Sequence, residues 1–180
     1  MNELFERRSV RSYNSAPVED CKLELVLKAG NYAPSAMNNQ DRAFTAILNK
    51  DILNELNAAV RSAVDQSTVA RIEGRLNGVF SFFYNAPALI VVSHDKNGLY
   101  PAADCACALE NMFIQAKALG LGSCWINQLN SLCDLPAVRA VLTKAGVPEN
   151  HTVFGSCALG YSDTEGELLR AKQSKITVCR

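Results

Sequence analysis

The segment Arg7-Arg8-Ser9-Val10-Arg11 concentrates three guanidinium groups and one hydroxyl group within five residues. Arginine stays charged under all working conditions, and its planar fork can bind two phosphate oxygens at once. One interpretation is the solvated basic end of a short helix, because short basic runs are common on protein surfaces. The other interpretation is a clamp for one small anion, such as the phosphate of a bound cofactor.

The basic cluster at 7–11 is a local feature, because the chain as a whole has no excess of positive charge. The chain carries 18 Lys+Arg and 18 Asp+Glu residues, so its formal net charge is zero. A general affinity for nucleic acid or for membrane surfaces needs a basic excess, so both classes are disfavoured. We expect a cytoplasmic protein, because no apolar run approaches the roughly 18 residues of a membrane span and the first residues lack an apolar signal core. Seven cysteines, an odd number, are expected to be reduced thiols.

No other segment carries a complete catalytic set. His94 and His151 flank strands, and both are expected to be structural or exposed. The Cys105-Ala-Cys107 segment resembles part of a metal site, but it lies in an apolar helical run, and burial is the preferred interpretation; no metal is predicted. The chain also lacks a glycine-rich dinucleotide fingerprint. An enzyme without its own acid, base or metal must take its chemistry from a bound group, and a redox cofactor would provide it.

These residues need a scaffold, and the apolar periodicity predicts one. The chain of 180 residues is 48% hydrophobic, which suits a single domain over 1–180 with a full core. The patterns predict helices over 2–8, 17–33, from Asp51 as N-cap, over 102–119 and over 135–145, with an ambiguous helical stretch at 66–78. They predict strands over 43–48, 88–93, 124–126 and 153–160, so the class is α/β or α+β.

Two of these segments have unusual composition. The 102–119 helix is apolar on more than one side, which is typical of a central helix or of one at a subunit interface. The strand over 88–93 is an unbroken apolar run, which predicts burial on both faces. The aromatic side chains of Phe80, Phe82, Phe83 and Tyr84 either stack on an aromatic substrate or belong to the core, and we favour the core.

Five segments, taken in order along nearly the whole chain, resemble the motifs of the FMN-dependent nitroreductase family. One such match would be weak, whereas five in the family's order are specific. The segments are Arg7–Tyr13, Ala33–Gln40, Tyr84–Pro87 before an apolar strand, Gly120–Ile126, and Leu159-Gly160-Tyr161 followed by Arg170 and Lys172.

The resemblance implies an α+β, nitroreductase-like fold with a central, mainly antiparallel sheet flanked by helices. It also implies an intertwined homodimer with two flavin sites at the subunit interface. Each site would hold FMN, and the electron donor would be NADH or NADPH.

The resemblance further assigns cofactor-binding residues. Arg7, Arg8 and Ser9 would hold the FMN phosphate and ribityl chain, and Arg11 would face the flavin pyrimidine. Arg170 and Lys172 would return to the same phosphate, with Lys175 as a competing candidate. Two further groups would contact the flavin. A loop of the other subunit would contribute Pro34, Ser35, Asn38 and Gln40. The segment along the redox edge of the flavin would contribute Trp125, Ile126, Asn127 and Gln128. Taken alone, the first group could form a plain turn, and Trp125 could pack in the core.

Two positions depart from the family pattern. Asp41-Arg42 stands where the family often has Pro-Trp, and Asn127-Gln128 replaces a Gly or Glu that often follows the flavin-edge strand. We expect both changes to approach the substrate side, which puts the usual preference for nitroaromatics in doubt.

The resulting expectation is an enzyme in which FMN N5, rather than a side chain, carries the chemistry. NAD(P)H would reduce the flavin and leave, and a nitroaromatic, quinone or activated alkene would then be reduced in the same pocket, a ping-pong mechanism. The alternatives are a flavin-binding store or sensor with little turnover, and a family member with a different flavin reaction, such as flavin fragmentation or dehalogenation.

Overall fold

A four-stranded sheet organises the part of the chain that the computed structural model describes, which is residues 2–164, 166 and 174–180. The strand order is β1-β2-β4-β3, and every neighbouring pair is antiparallel. The predicted α+β class with a mainly antiparallel sheet is therefore confirmed. The elements are α1 Glu3–Glu6, α2 Asp20–Asn31, β1 Arg42–Ile47, α3 Lys50–Ala63, α4 Gln66–Glu73, β2 Ala88–Asp95, α5 Pro101–Ala118, β3 Gly122–Ile126, α6 Gln128–Leu132, α7 Pro136–Lys144 and β4 His151–Gly160.

The sheet is the middle layer of three. In β2, Leu89 and Val91 join a core with residues of α3, α6 and α7, whereas Ala88, Ile90 and Val92 join a second core with residues of α2 and α5. Successive side chains of a strand point to opposite faces, so one apolar strand fills both cores. The predicted burial of this strand on both faces is confirmed, and Phe80, Phe82 and Phe83 are also buried.

Helix α5 is the central helix of the second core. Leu109, Met112 and Ala116 on this helix have no exposed surface. Its neighbour α2 approaches so closely that a Cβ added at Gly30 would lie 2.2 Å from Met112 Cε. The helix therefore has a fixed position, and residues at its two ends can serve as anchors for the loops around it.

Several element boundaries differ from the prediction. Helix α1 ends at Glu6, and Arg7 has extended backbone angles, so both Arg7 and Arg8 lie beyond the helix. The predicted cap at Asp51 is wrong: the side chain of Asn49 caps α3 by accepting hydrogen bonds from the Asp51 and Ile52 amides. The sequence pattern also missed α6, whose five residues are too few for a clear helical period.

The described ranges contain no helix that is both long and apolar enough to cross a membrane. Within the same ranges, no group of three or more His, Cys, Asp or Glu side chains is arranged to hold a metal ion. Cys105 is buried, and this burial raises the pKa of its thiol to about 12. His94 is fully buried and has a structural role, described below.

Candidate functional site

The basic segment after α1 is fixed along the outer edge of β3. The Val10 amide donates a 2.9 Å hydrogen bond to the Ser123 carbonyl oxygen, and Ser9 forms a parallel bridge with Ser123. The Tyr13 hydroxyl lies 2.8 Å from the Val10 oxygen and 3.2 Å from the Ala158 oxygen. Burial raises the pKa of Tyr13, so the hydroxyl keeps its proton and remains a donor. These contacts fix the backbone that carries the arginines.

Arg7 and Arg8 are oriented by different partners. Arg8 Nη1 donates to the carbonyl oxygens of Phe5 at 2.7 Å and Arg7 at 2.8 Å. Arg7 Nε lies 3.4 Å from Glu110 Oε1, and Arg7 Cζ lies 5.6 Å from the centre of the Phe113 ring. Glu110 and Phe113 both belong to α5, so this central helix positions one arginine of the cluster.

A cavity of about 260 Å³ opens beside these two arginines. It is bounded by the turn and strand start at 120–123 and by the segment after β4, including Gly166. Within the described part of the chain, its charged lining residues are Glu6, Arg7, Arg8 and Lys117. The sequence reasoning missed Lys117, which lies in the last turn of α5. Its position just before the Gly120-Leu121-Gly122 turn was the available signal.

Close backbone approach shapes this cavity. A Cβ at Gly122 would lie 2.9 Å from Val10 Cγ1, and a Cβ at Gly166 would lie 2.6 Å from Arg8 Cβ. Only glycine allows the start of β3 and the returning chain to pack this tightly against the basic segment. The cavity is therefore built by tertiary packing of three separate parts of the chain.

The outer edge of β3 carries the second part of the candidate site. The Ser123 carbonyl faces the N-terminal segment, and alternate residues of a strand direct their amides to the same edge. The Trp125 amide therefore faces the outer edge of β3, which is an edge strand of the sheet. Such an edge offers backbone donors to a ligand.

The Trp125 side chain has a defined setting. Its ring is 39% exposed and lies 6.1 Å, centre to centre, from the ring of Phe113. A Cβ at Gly155 would come within 3.1 Å of the indole, so this glycine makes room for the ring. The indole Nε1 donates a long 3.5 Å hydrogen bond to Asn127 Oδ1.

The next residues of the predicted flavin edge point elsewhere. The Ile126 side chain is 2% exposed and belongs to the core, so only its backbone can meet a ligand. Gln128 lines a separate hollow together with Asp65 and Thr68. Their roles in cofactor binding stay predictions.

The loop that contains Pro34, Ser35, Asn38 and Gln40 does not line the cavity of Arg7. It is attached to Asp104, in the first turn of α5, whereas Lys117 lies in the last turn. These helical positions are about 20 Å apart at 1.5 Å per residue. Within one copy of the chain, loop and cavity therefore lie toward opposite ends of α5. That this loop reaches the flavin of another subunit stays a prediction.

The remaining predicted residues have these positions. Arg11 is exposed, and its Nη1 donates a 3.2 Å hydrogen bond to the Ser9 oxygen. Lys175 is exposed. Arg170 and Lys172 lie outside the described residues. Arg42 directs its guanidinium to carbonyl oxygens of its own chain, and its expected place toward the substrate side stays a prediction.

The fold and the cavity define an α+β protein with a basic cavity beside an edge strand. The sequence model of the nitroreductase family matches residues 4–161. The chain therefore belongs to the nitroreductase family, and the predicted resemblance is confirmed.

Relatives span the whole chain. A relative from Archaeoglobus fulgidus, provisionally named an NADH dehydrogenase/NAD(P)H nitroreductase, is 32% identical over 176 residues, covering 93% of this chain and 88% of the relative. A nitroreductase from Bacteroides fragilis NCTC 9343, solved with bound FMN, has 43% identity and a TM-score of 0.87, covering 99% of this chain and 97% of the other. An FMN-bound nitroreductase from Desulfitobacterium hafniense DCB-2 has 26% identity and a TM-score of 0.88 over all of both chains.

Proposed function

We propose that this chain is an FMN-dependent oxidoreductase that takes electrons from NADH or NADPH and delivers them to a small organic acceptor. The observation that carries the proposal is the cavity of about 260 Å³ lined by Arg7, Arg8 and Lys117, directly beside the outer edge of β3. Family membership and the FMN-bound relatives support the same assignment.

The charges of the cavity fit the phosphate end of FMN. A phosphate monoester carries between one and two negative charges near pH 7. Among the described residues, the cavity presents three cations, Arg7, Arg8 and Lys117, and one carboxylate, Glu6. Arg7 Nε is buried and has no hydrogen-bond partner among the described residues, although it lies 3.4 Å from Glu110 Oε1. A bound phosphate would compensate this donor set by charge-assisted hydrogen bonds.

The C-terminal segment adds support for this phosphate site. Gly166 lines the cavity and packs against Arg8. It stands four positions before Arg170 and six before Lys172. We propose that these two cations complete the phosphate site.

When bound, FMN would supply the redox chemistry, which is hydride uptake from NAD(P)H and electron delivery to the acceptor. The protein supplies position and electrostatics. The outward amide of Trp125 would donate a hydrogen bond to N5 and fix the edge of the ring. Arg11 would place a positive charge beside N1 and O2, which stabilises the negative charge of the reduced ring. Ser9, Asn127 and Gln128 remain proposed cofactor contacts.

A second copy of the chain completes the proposed site. Pro34, Ser35, Asn38 and Gln40 would reach the flavin from the other subunit, since in one copy they lie toward the opposite end of α5 from the phosphate cavity. Donor and acceptor would occupy the same face of the flavin in turn, which gives ping-pong kinetics. Nitroaromatics, quinones and activated alkenes are the proposed acceptors, and the cytoplasm is the proposed location.

The experiment is an absorption spectrum of the purified protein, followed by anaerobic addition of NADH and NADPH in separate titrations. We expect an oxidised flavin spectrum that bleaches within the dead time of manual mixing and recovers when a quinone or nitroaromatic is added. Flavin released by denaturation should be FMN on chromatography.

The same experiment distinguishes the alternatives. Stoichiometric FAD, or no flavin after reconstitution, would contradict the cofactor assignment. Bound FMN that neither donor reduces would contradict the enzyme assignment and favour a flavin store or sensor. For ping-pong kinetics we expect parallel lines in double-reciprocal plots of initial rate against NAD(P)H concentration at several fixed acceptor concentrations. Intersecting lines would contradict that mechanism.

A further inference from the structure

The loop from Pro34 to Gln40 holds an unfavourable backbone conformation. Met37, Asn38 and Gln40 have φ values of 51°, 55° and 58°, in the left-handed region that residues other than glycine seldom adopt. Such backbone conformations cost free energy, most of all for Met37 and Gln40, and persist only where the surroundings enforce them. The Met37 side chain is 84% exposed, so core packing does not hold the loop at that residue.

Arg42 holds the start of this loop. Its Nη2 donates to the Ala33 oxygen at 2.8 Å, and its Nη1 donates to the Pro34 oxygen at 3.0 Å and to the Asp104 backbone oxygen at 3.1 Å. One guanidinium therefore joins the loop entry, strand β1 and the first turn of α5. A planar fork can bind these separate carbonyl groups, whereas a lysine ammonium would be a single point donor.

Asp104 holds the next residue of the loop. Both of its carboxylate oxygens lie 3.1 Å from the Ala36 amide, which donates to them. The Asp104 side chain is 8% exposed, so water competes little for these bonds. Asp104 belongs to the first turn of α5, where a negative charge is favoured by the helix dipole.

The His94 ring lies next to Asp104 without a hydrogen bond between the two side chains. The His94 Nε2 atom lies 3.6 Å from Asp104 Oδ2, and its Nδ1 atom donates to the Asp95 carbonyl oxygen at 3.0 Å. His94 has no exposed surface, and a Cβ at Gly98 would lie 2.1 Å from its Cε1 atom. The carboxylate therefore rests against a ring whose own position is fixed by packing.

We propose that Arg42 and Asp104 are positioning residues that hold the loop Pro34–Gln40 in its cofactor-binding conformation. The proposal rests on the proposed function, because it assumes that this loop contacts FMN. It also gives the Asp41-Arg42 departure from the family pattern a physical role: Arg42 acts on the loop from within its own subunit. The loop is pre-organised before FMN arrives, so binding does not have to supply the free energy of ordering it.

The test compares the amide hydrogen exchange of the loop and the affinity for FMN in matched variants. The variants are Arg42→Met, Arg42→Lys, Asp104→Ala and Asp104→Asn, each as the full chain. Arg139→Met is the control, because Arg139 also donates to a backbone oxygen, that of His151, and to the Asp134 carboxylate, but lies far from the loop in sequence.

Hydrogen exchange on the apoproteins measures the loop without reference to FMN. We expect the amides of Ala36 and Gln40 to exchange at least tenfold faster in Arg42→Met and Asp104→Ala, and to keep the wild-type rate in Arg139→Met. FMN dissociation constants, measured by fluorescence quenching below each melting temperature, should rise at least tenfold in the same two variants. Arg42→Lys and Asp104→Asn, which keep one donor and one acceptor, should give intermediate values.

The outcomes separate the two proposals. If the wild type does not bind FMN, the proposed function fails, whatever the loop does. If the wild type binds FMN but the four variants bind it equally well, the positioning role is wrong and the proposed function stands. A lower melting temperature with unchanged FMN affinity and unchanged loop exchange would mark Arg42 and Asp104 as merely structural, which also overturns the proposal. If Arg42→Met or Asp104→Ala fails to fold, the milder variants Arg42→Lys and Asp104→Asn give the same comparison.

Discussion

The Arg7 guanidinium carbon lies 5.6 Å from the centre of the Phe113 ring. Phe113 in turn lies 6.1 Å, centre to centre, from the Trp125 ring, so one aromatic side chain of α5 is close both to Arg7 and to the residue at the proposed flavin edge. A cation above an aromatic face is attracted by about 0.5–1 kcal/mol at exposed sites and more when desolvated. Phe113 therefore helps to set the direction in which Arg7 presents its donors.

Arg7→Met should weaken FMN binding. The loss of one charge-assisted hydrogen bond costs about 1.5–3 kcal/mol, which corresponds to roughly a 10- to 150-fold rise in the dissociation constant. Phe113→Leu should act in the same direction with a smaller effect, because it removes only the aromatic support. Quenching of FMN fluorescence measures both. Arg71→Met, at an exposed position of α4, is the matched control and should not change the affinity. Equal affinity of Arg7→Met and the control would remove Arg7 from the phosphate site.

Arg11→Ala should affect the reduced flavin more than the oxidised flavin. Arg11 is oriented by the Ser9 carbonyl and does not line the cavity that contains Arg7. A contact of about 1.5–3 kcal/mol that favours the anionic reduced ring would correspond to a midpoint potential lower by about 30–60 mV for a two-electron couple. Arg7→Ala should leave the potential of the remaining holoprotein nearly unchanged, since a phosphate contact is the same in both redox states. Spectroelectrochemistry of the two variants side by side measures this, and equal potentials would rule out a pyrimidine role for Arg11.

Tyr13→Phe should destabilise the protein by about 0.5–1.5 kcal/mol, the usual net value of one hydrogen bond. The lost hydroxyl joins the basic segment, through the Val10 oxygen, to β4, through the Ala158 oxygen. Urea unfolding at pH 7 measures the difference. A variant as stable as the wild type would show that the segment is held without this hydroxyl.

The buried Tyr13 hydroxyl should also make the free energy of unfolding depend on pH. Burial raises the pKa of Tyr13 above its ordinary value of 10.0, so above about pH 10 the unfolded chain loses this proton while the folded chain keeps it. The unfolded state then binds fewer protons, and the free energy of unfolding falls as pH rises. The wild type should therefore lose more stability than Tyr13→Phe between pH 9 and pH 11. Identical slopes in urea unfolding at these pH values would contradict the assignment.

A dimer with α5 near the interface should protect the exposed face of that helix. Cys107 on α5 and Cys21 on α2 are both exposed in a single copy of the chain. Obligate interfaces bury on the order of 2,000–5,000 Å², so the Cys107 thiol should react with iodoacetamide at least tenfold more slowly than the Cys21 thiol. Mass spectrometry of labelled peptides and analytical ultracentrifugation measure the two properties. A stable, FMN-loaded monomer would exclude the dimer.

Residue types and local periodicity determined much of this protein. The apolar run at 88–92 of β2 specified a strand buried on both faces, because over these residues neither face carries a polar side chain. The N-terminal arginine cluster and the order of five motifs specified the family, because both are properties of the sequence alone. The helix over 102–119 was predicted to within one residue at each end, since its long apolar pattern leaves few alternatives.

Tertiary structure decided where charged residues far apart in sequence meet. Lys117 joins Arg7 and Arg8 only because the turn after α5 brings the end of that helix beside the basic segment. Asp104 and Arg42 are separated by 62 residues, yet they hold the same loop. A sequence pattern reports which side chains share one face of one element, whereas contacts between elements depend on how the sheet and helices pack. For this reason the hydrogen bonds of Arg42 to three carbonyl oxygens of its own chain follow from the folded structure and not from its position in the sequence.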